Sequence, residues 1–317
     1  PEAAAEPGDI HHYLDAQAAA SLIRVRDRTG HKGTYGHCLI VAGSTGKTGA
    51  AALAANSAVR SGSGLVTLAV PESLNPVLEM KTTEAMTLPL ADSGRGFLGS
   101  GNGDAITAAF RGMDAVAIGP GISRHPETAA LVRRLVSECP LPLVVDADGL
   151  NALAEDISVL ERKISPAVVL TPHPGEMSRL CGLAIDRIEC DRAGVARDFA
   201  VRHGVFVVLK GAGTVVATPE GDISVNGSGN PGMATGGMGD VLTGVLVSLL
   251  GQGYFSRDAC RLGVFLHGYA ADMVAERQGE VGMAASDVLE SLPRAYKALL
   301  TARGNCRPKQ IKENSLC

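Results

Sequence analysis

A glycine-rich segment ends in a single carboxylate that could act as a base. Five glycines occur in residues 229–239, and Asp240 follows them at the start of an apolar run. Such a cluster indicates that the backbone approaches a ligand closely, because glycine is otherwise costly in conformational entropy. N–H groups at a glycine-rich helix entrance bind phosphate oxygens, and the helix dipole favours anions there. Asp240 could then take a proton from a hydroxyl that attacks phosphorus, or it could be a helix N-cap.

The segment TPHPGE, residues 171–176, places His173 between two prolines. The prolines restrict the backbone on both sides of the histidine, and this rigidity favours ligand contact over a casual surface or core position. Glu176 could hold a metal-bound water or support the first turn of a helix.

Two further segments combine charged residues with tight turns. Asp146 and Asp148 in DADG fit either Mg²⁺ binding or turn and cap roles, and the sequence leaves both open. Lys210 begins the segment KGAGT, in which a cation and a turn suit the phosphates of a nucleotide.

The segment GSTGKTGAA, residues 43–51, is similar to a phosphate-binding P-loop but is not one. The P-loop pattern requires glycine five positions before Gly46, and Val41 stands there. Substrate binding at this turn and close packing of a small-residue helix against the sheet both remain open.

The composition excludes several classes of protein. The chain has 317 residues, a formal charge of −4, 3% aromatic residues and no tryptophan, which argues against a nucleic-acid partner. No apolar run reaches the ~18 residues of a membrane span, and no signal-peptide pattern opens the chain. The seven cysteines include no CxxC pair, which favours a reducing compartment. We therefore expect a cytoplasmic protein without a membrane partner.

Short β-branched runs alternate with longer stretches of helical composition, which indicates an α/β fold with a parallel sheet covered on both faces. The runs are residues 37–43, 64–71, 114–121, 142–149, 167–176 and 205–211. Ligands of such sheets bind beyond the carboxyl ends of the strands. Because the glycines, carboxylates, His173 and Lys210 follow these ends, we expect the chemistry at one edge of the sheet.

One α/β domain spanning residues 25–302 is the simplest organisation. We expect residues 1–24 to be a linker remnant and residues 303–317 to be a polar tail. Residues 211–227 predict a β-hairpin with residues 220–222 as its turn. Two helices should follow Asp240, and the first should be buried because it is apolar on nearly every face.

Long, ordered motifs between about residues 31 and 300 resemble the ADP-dependent NAD(P)H-hydrate dehydratases of bacteria. The motifs are HKGTYGHCLIVAGSTGKTGAAALAANSAVRSGSGLVTLAVP, IGPGI, VVDADGLNAL, LTPHPGEMSRL, VVLKGAGTVV and NGSGNPGMATGGMGDVLTG. The resemblance implies a ribokinase-like fold with a central, mostly parallel sheet and helices on both faces. YLDAQAAASLI, residues 13–23, also resembles the link that follows the epimerase domain in bifunctional bacterial proteins. We therefore expect an epimerase, fused or separate, as a partner.

The resemblance implies repair of a nicotinamide cofactor. ADP would phosphorylate the ring hydroxyl of (6S)-NADH hydrate or NADPH hydrate, and loss of phosphate would restore NAD(P)H with AMP as the other product. We expect Mg²⁺ because phosphoryl charge must be neutralised during transfer, although no metal ligand is assigned. We also expect a homo-oligomer.

The resemblance further implies roles for individual residues. Asp240 would be the catalytic base. The positions implied to contact the hydrate are Ala50, Gly121, His173 and Asp240. The positions implied to hold the nucleotide are Lys210, Gly211, Ala212, Gly213, Thr214 and Gly239.

Two other functions are compatible with the same residue types. One is a small-molecule kinase of the same fold that acts on a hydroxymethylpyrimidine or a hydroxyethylthiazole, since such enzymes also use Gly-x-Gly-Asp. The other is a non-catalytic nucleotide sensor, which would keep the glycines but would not need Asp240.

Overall fold

The structure, a computed structural model, describes residues 11–305. The parts of the predicted linker and tail that comprise residues 1–10 and 306–317 lie outside the described residues. The strands are β1 (His11–Leu14), β2 (His37–Val41), β3 (Leu65–Pro71), β4 (Met86–Leu90), β5 (Ala115–Ile118), β6 (Leu143–Val145), β7 (Val168–Leu170), β8 (Phe206–Leu209), β9 (Val215–Ala217) and β10 (Ile223–Asn226). The helices are α1 (Ala16–Leu22), α2 (Thr48–Arg60), α3 (Asn75–Lys81), α4 (Gly103–Ala109), α5 (Pro126–Glu138), α6 (Asp148–Glu155), α7 (Pro174–Cys181), α8 (Ile185–Cys190), α9 (Arg192–His203), α10 (Met238–Gly251), α11 (Ser256–Gln278) and α12 (Ala285–Asn305).

The ten strands form one sheet in the order β1-β10-β9-β8-β7-β6-β5-β2-β3-β4. Neighbouring strands run parallel except for the pairs β8–β9 and β9–β10. The predicted α/β fold is therefore confirmed. The chain order reverses between β2 and β5, since β3 and β4 lie on one side and β6 to β8 on the other. Ligands of open α/β sheets bind at such a switch point.

Helices cover both faces of the sheet and enclose two cores. On β2, Cys38 and Ile40 face the core formed with α1, α2, α10, α11 and α12. Leu39 and Val41 face the opposite core, which includes residues of α5, α6, α7 and α9. This arrangement explains the continuous apolar character of the strands, because a strand that is buried on both faces needs apolar residues at every position.

Two local predictions after Lys210 are confirmed. β9 and β10 form an antiparallel hairpin, and its turn is closed by a hydrogen bond from the Thr218 N–H to the Asp222 carbonyl, 3.0 Å in length. Helix α10 is buried along residues 241–251, as its all-round apolar sequence predicts.

The boundaries of the folded unit differ from those predicted. β1 pairs with β10, and Leu14 and Ile23 are fully buried, so residues 11–23 belong to the domain instead of a linker. The sequence did not show that these residues are folded, because α1 is rich in alanine, which packs in protein cores but is also common in linkers. At the other end α12 continues to Asn305, past the predicted limit at residue 302. Within residues 11–305, no helix is sufficiently long and apolar to cross a membrane.

Candidate active site

The carboxyl ends of neighbouring strands come together at one edge of the sheet. Beyond β2 and β5, the Gly43 N–H donates to the Pro120 carbonyl at 2.9 Å. Beyond β7 and β8, the Lys210 N–H donates to the Pro172 carbonyl at 2.8 Å. These bonds extend the ladder past the strands and hold the loops that carry the polar residues side by side.

Helix α10 begins at this edge without a capping side chain. Gly237 is its N-cap and has a φ of 93°, a left-handed conformation that favours glycine, and no side chain caps the helix. Met238 is the first helical residue, so Asp240 is the third. The alternative role of Asp240 as an N-cap is therefore wrong. The first N–H groups of α10 remain available to an anion, and a carboxylate lies in the same turn.

The carboxyl group of Asp240 is a weaker acid than usual. Burial raises its pKa to about 7, with a contribution from the negative charge of Asp146, and Lys210 opposes the rise. Asp148 and Glu176 add to it. We call Asp146, Asp148, Glu176 and Asp240 the carboxylate cluster. A carboxylate with a pKa near neutrality is well matched to general-base catalysis.

Lys210 is the cation at the centre of the carboxylate cluster. Its Nζ lies 2.7 Å from Asp146 Oδ1 and 3.8 Å from Glu176 Oε2. Burial alone would lower the pKa of Lys210, but the charges of Asp146 and Glu176 raise it overall, so the ammonium is retained. The second oxygen of Asp146 accepts from Thr243 Oγ1 at 2.7 Å. Asp146 therefore holds Lys210 against the first turns of α10.

Asp148 belongs to a second ion pair in the carboxylate cluster. Lys47 Nζ, before α2, lies 2.7 Å from Asp148 Oδ2, which also accepts from the Ser123 N–H at 3.3 Å. Ala147, between the two aspartates, has a φ of 51°, an unusual conformation for a residue other than glycine. Strain of this kind persists where the surrounding structure fixes functional groups.

His173 is the N-cap of α7. Its Nδ1 accepts from the Gly175 N–H at 3.0 Å, and Glu176 Oε2 accepts from the His173 N–H at 2.9 Å, so the two residues form a capping box. The side chain is 52% exposed. The histidine thus has a structural role, and its Nε2 lies on the same side as Glu176, at 3.5 Å from Oε1.

Ala50 and Gly121 meet at the switch point between β2 and β5. A Cβ atom on Gly121 would lie 3.1 Å from the Cβ of Ala50 and 2.8 Å from that of Lys47. The Gly121 carbonyl accepts from Ser44 Oγ at 2.7 Å. The GSTGKTGAA segment therefore packs tightly against the loop after β5, and the same contact brings both predicted hydrate-binding positions together.

The predicted nucleotide-binding residues line a cavity of about 750 Å³ between β8, β10, α10 and α11. All six of them contribute to its wall: Lys210, Gly211, Ala212, Gly213, Thr214 and Gly239. We call this space the glycine-lined cavity. Its volume suits a small-molecule ligand.

Sequence reasoning missed two polar residues near the glycine-lined cavity. His267 lines the cavity and is buried, and its Nε2 has no hydrogen-bond partner in residues 11–305. Burial lowers the pKa of His267 to about 4, so the ring is neutral. Asp272 accepts from the Gly229 N–H and from Asn230 Nδ2, each at 2.9 Å, and fixes the loop that forms one wall. The sequence did contain a signal for both residues, because His267 and Asp272 interrupt an otherwise apolar run in α11.

The described part of the chain holds no group of three or more His, Cys, Asp or Glu side chains placed to bind a metal ion. Both oxygens of Asp146 are bound to Lys210 and Thr243. The residues of this edge therefore do not form a ready-made Mg²⁺ site, and no protein ligand is assigned to the metal.

A family model described as NAD(P)H-hydrate dehydratase matches residues 38–294. The chain belongs to this family. The bifunctional NAD(P)H-hydrate repair enzyme Nnr of Moorella thermoacetica is 46% identical over 286 residues, which are 90% of this chain and 54% of that protein. The Escherichia coli enzyme of the same name is 36% identical over 92% of this chain and 53% of its own length. The chain thus spans about half the length of the curated relatives it matches.

The solved structures agree with this membership. An ADP/ATP-dependent NAD(P)H-hydrate dehydratase from Bacillus subtilis, co-crystallised with ATP and Mg²⁺, is 29% identical with a TM-score of 0.77. The match covers 91% of this chain and 98% of that one. A hydroxyethylthiazole kinase from Pyrococcus horikoshii is 13% identical, with a TM-score of 0.60 over 90% of this chain and 95% of that one. That likeness concerns the fold alone.

Proposed function

We propose that this chain catalyses the ADP-dependent dehydration of (6S)-NADH hydrate and (6S)-NADPH hydrate to NAD(P)H, with AMP and phosphate as the other products. The observation that carries the proposal is Asp240 in the first turn of α10, with a pKa of about 7 and adjacent to the glycine-lined cavity.

The reaction begins with a phosphoryl transfer. Asp240 accepts the proton of the ring hydroxyl, whose oxygen attacks the terminal phosphorus of ADP while the bond to the AMP oxygen breaks. The ring nitrogen then expels the new phosphate, the C–O bond breaks, and a proton leaves the adjacent carbon to restore the double bond. No electrons are gained or lost, which fits a dehydration.

The two substrates are assigned to different sides of this edge of the sheet. We assign ADP to the glycine-lined cavity, with Lys210 and the N–H groups of α10 at its phosphates. His267 lies in the wall of the same cavity, with its Nε2 enclosed and unpaired. We assign the hydrate to the side of Ala50, Gly121 and His173, so that its hydroxyl approaches Asp240 from the switch point.

ADP and Mg²⁺ complete the proposal. ADP is the assigned donor because the chain resembles the ADP-dependent bacterial enzymes, and we expect a higher kcat/KM with ADP than with ATP. Mg²⁺ would neutralise the nucleotide phosphates. Because the metal commonly retains water and uses few protein carboxylates, a ready-made protein cluster is not required.

The proposed setting follows from the same family. We propose that the domain works beside an epimerase, fused or separate, which would supply the hydrate epimer that the dehydratase uses. We further propose a homo-oligomer in a reducing cytoplasm. The free cysteines in the described residues support that compartment: Cys38, Cys139, Cys181, Cys190 and Cys260.

The decisive experiment follows both products of one turnover. The protein is mixed with NADPH hydrate and ADP, and recovery of NADPH absorbance and release of inorganic phosphate are recorded together. A dehydratase gives both in equal amounts. A stable phosphate ester without NADPH recovery would identify a kinase, and binding of ADP without either product would identify a sensor.

A further inference from the structure

A second cavity, of about 760 Å³, lies away from the proposed active site, near the segment that follows α1. Residues at the end of α2 and just after α10 line it, together with residues of α12. The cavity is as large as the glycine-lined cavity, and its volume suits a small-molecule ligand. We call it the distal cavity.

Cations outnumber carboxylates on the wall of the distal cavity. The charged lining residues are Arg24, Arg26, Arg60, Lys81, Glu84 and Glu290. Arg60 pairs with Glu290. Within residues 11–305, no carboxylate lies at ion-pair distance from Arg24, Arg26 or Lys81. The wall therefore carries a positive charge that its own carboxylates leave unbalanced.

Two of these arginines are held in place but keep free donors. Arg24 donates to the Gly253 carbonyl at 3.0 Å and lies over the ring of Tyr254. Arg26 donates to the Gly62 carbonyl and lies over the ring of Tyr35. Each guanidinium has five N–H donors, so one carbonyl bond leaves most of them available to an anion.

Three buried polar atoms at the distal cavity have no hydrogen-bond partner in the described residues. They are Ser61 Oγ, Asn56 Oδ1 and the hydroxyl oxygen of Tyr296. Ser61 is only 2% exposed, and burial raises the pKa of Tyr296, so that hydroxyl keeps its proton. Unpaired buried polar atoms are costly, and a cluster of them beside a cavity calls for a polar ligand.

From the cavity, its unbalanced cations and its three unpaired polar atoms, we propose that the distal cavity binds a small phosphorylated polyol. The phosphate would be held by Lys81 and the arginines. Because Ser61 Oγ and Asn56 Oδ1 are enclosed in this structure, each side chain would rotate to meet a ligand hydroxyl, which both donates and accepts. A ligand there contacts the last turn of α2 and Gln252, the C-cap of α10, and the first turns of these two helices carry Ala50 and Asp240.

Titration calorimetry with ribose 5-phosphate as the probe tests the proposal on the full chain. Saturating ADP is present throughout to keep the probe out of the glycine-lined cavity. The parent should bind one equivalent, and Lys81→Gln should weaken binding about tenfold, the loss of one charge-assisted contact. Arg202→Gln is the matched control, since it removes one exposed positive charge at the end of α9 and should leave binding unchanged.

A second variant keeps the test independent of charge. Ser61→Ala should weaken the probe and raise the melting temperature of the free protein, because it removes an unpaired buried oxygen. Turnover of NADPH hydrate should be unchanged in Lys81→Gln, Arg202→Gln and Ser61→Ala. Failure of the probe to bind would therefore leave the proposed dehydratase activity intact. Absence of probe binding to the parent, or equal weakening by Lys81→Gln and Arg202→Gln, would overturn it.

Discussion

The glycine-lined cavity and the carboxylate cluster meet at Lys210 but are built by different means. The cavity is walled largely by backbone and small residues of two short segments, residues 210–214 and 227–239. The carboxylate cluster consists of one side chain that follows β6 and three in the first turns of α6, α7 and α10, and its ion pairs join residues 64 and 101 positions apart. Backbone can bind a phosphate without any titration, whereas the carboxylates can hold and release a proton.

This difference predicts which substitutions act on chemistry and which act on binding. Changes in the carboxylate cluster should alter turnover, pH dependence and stability. Changes in the glycine-lined cavity should alter the affinity for nucleotide. A variant of one region that alters the property assigned to the other region would contradict this division.

The largest effect is expected for Asp240→Asn. The variant keeps the size of the side chain but cannot accept the hydroxyl proton, so kcat should fall about 10²–10⁴-fold. Affinity for ADP should hold or rise, because a carboxylate near bound phosphate is lost. The measurement is kcat at saturating ADP and hydrate, and a value within about threefold of the parent, a cut-off well below that range, would rule out Asp240 as the base.

The same variant has a second signature in stability. The pKa of Asp240 in the folded state, about 7, exceeds the unfolded value, so ionisation destabilises the fold as pH rises from about 4 to about 7. Asp240→Asn should therefore gain stability over the parent at pH 8, by no more than about 4 kcal/mol, and should gain none near pH 3. Urea unfolding at the two pH values measures this difference.

Asp146→Asn should affect both stability and the pH profile. It breaks the buried pair with Lys210, which costs about 3 kcal/mol, the lower end of the usual range because Glu176 remains near the ammonium. It also removes a charge that raises the pKa of Asp240, so the acid limb of kcat/KM should move to lower pH.

Thr243→Val is the matched control for that variant. It removes only the hydroxyl that donates to Asp146, and it should cost about 1–2 kcal/mol with little movement of the pH profile. If the pH dependence of kcat/KM is the same in Asp146→Asn as in the parent, Asp146 does not raise the pKa of Asp240.

Gly239→Ala should weaken nucleotide binding while leaving the Asp240 carboxylate in place. A Cβ atom there would lie 3.2 Å from Lys210 Nζ, so the ammonium must shift, and we expect KM for ADP to rise about tenfold, as for one lost charge-assisted contact. Gly236→Ala is the control, because nothing lies within 4 Å of its Cβ position. Equal KM values in the two variants would show that Gly239 is not required for close approach.

The contrast between the two regions also explains what could be predicted from the sequence. The fold and the family could be predicted correctly because apolar strands and long motifs are local patterns in the sequence. The lining of the glycine-lined cavity follows from two contiguous segments, whereas Thr243 was missed because its partner Asp146 lies 97 positions away. β1 and β4 were missed as strands because they lie at the sheet edges and their apolar pattern is interrupted, by His11 and His12 in β1 and by Thr87 and Pro89 in β4.

The smallest effect is expected at His173, where capping and ligand contact compete as explanations. Asparagine caps a helix well, so His173→Asn should retain the stability of α7, whereas His173→Ala should lose about 1 kcal/mol. If the imidazole also contacts the hydrate, both variants should raise KM for the hydrate by a similar factor, because both lack the ring. Melting temperature and KM are measured side by side for the two variants. A normal KM in His173→Asn, with a raised KM only in His173→Ala, would show that the histidine acts through the cap alone.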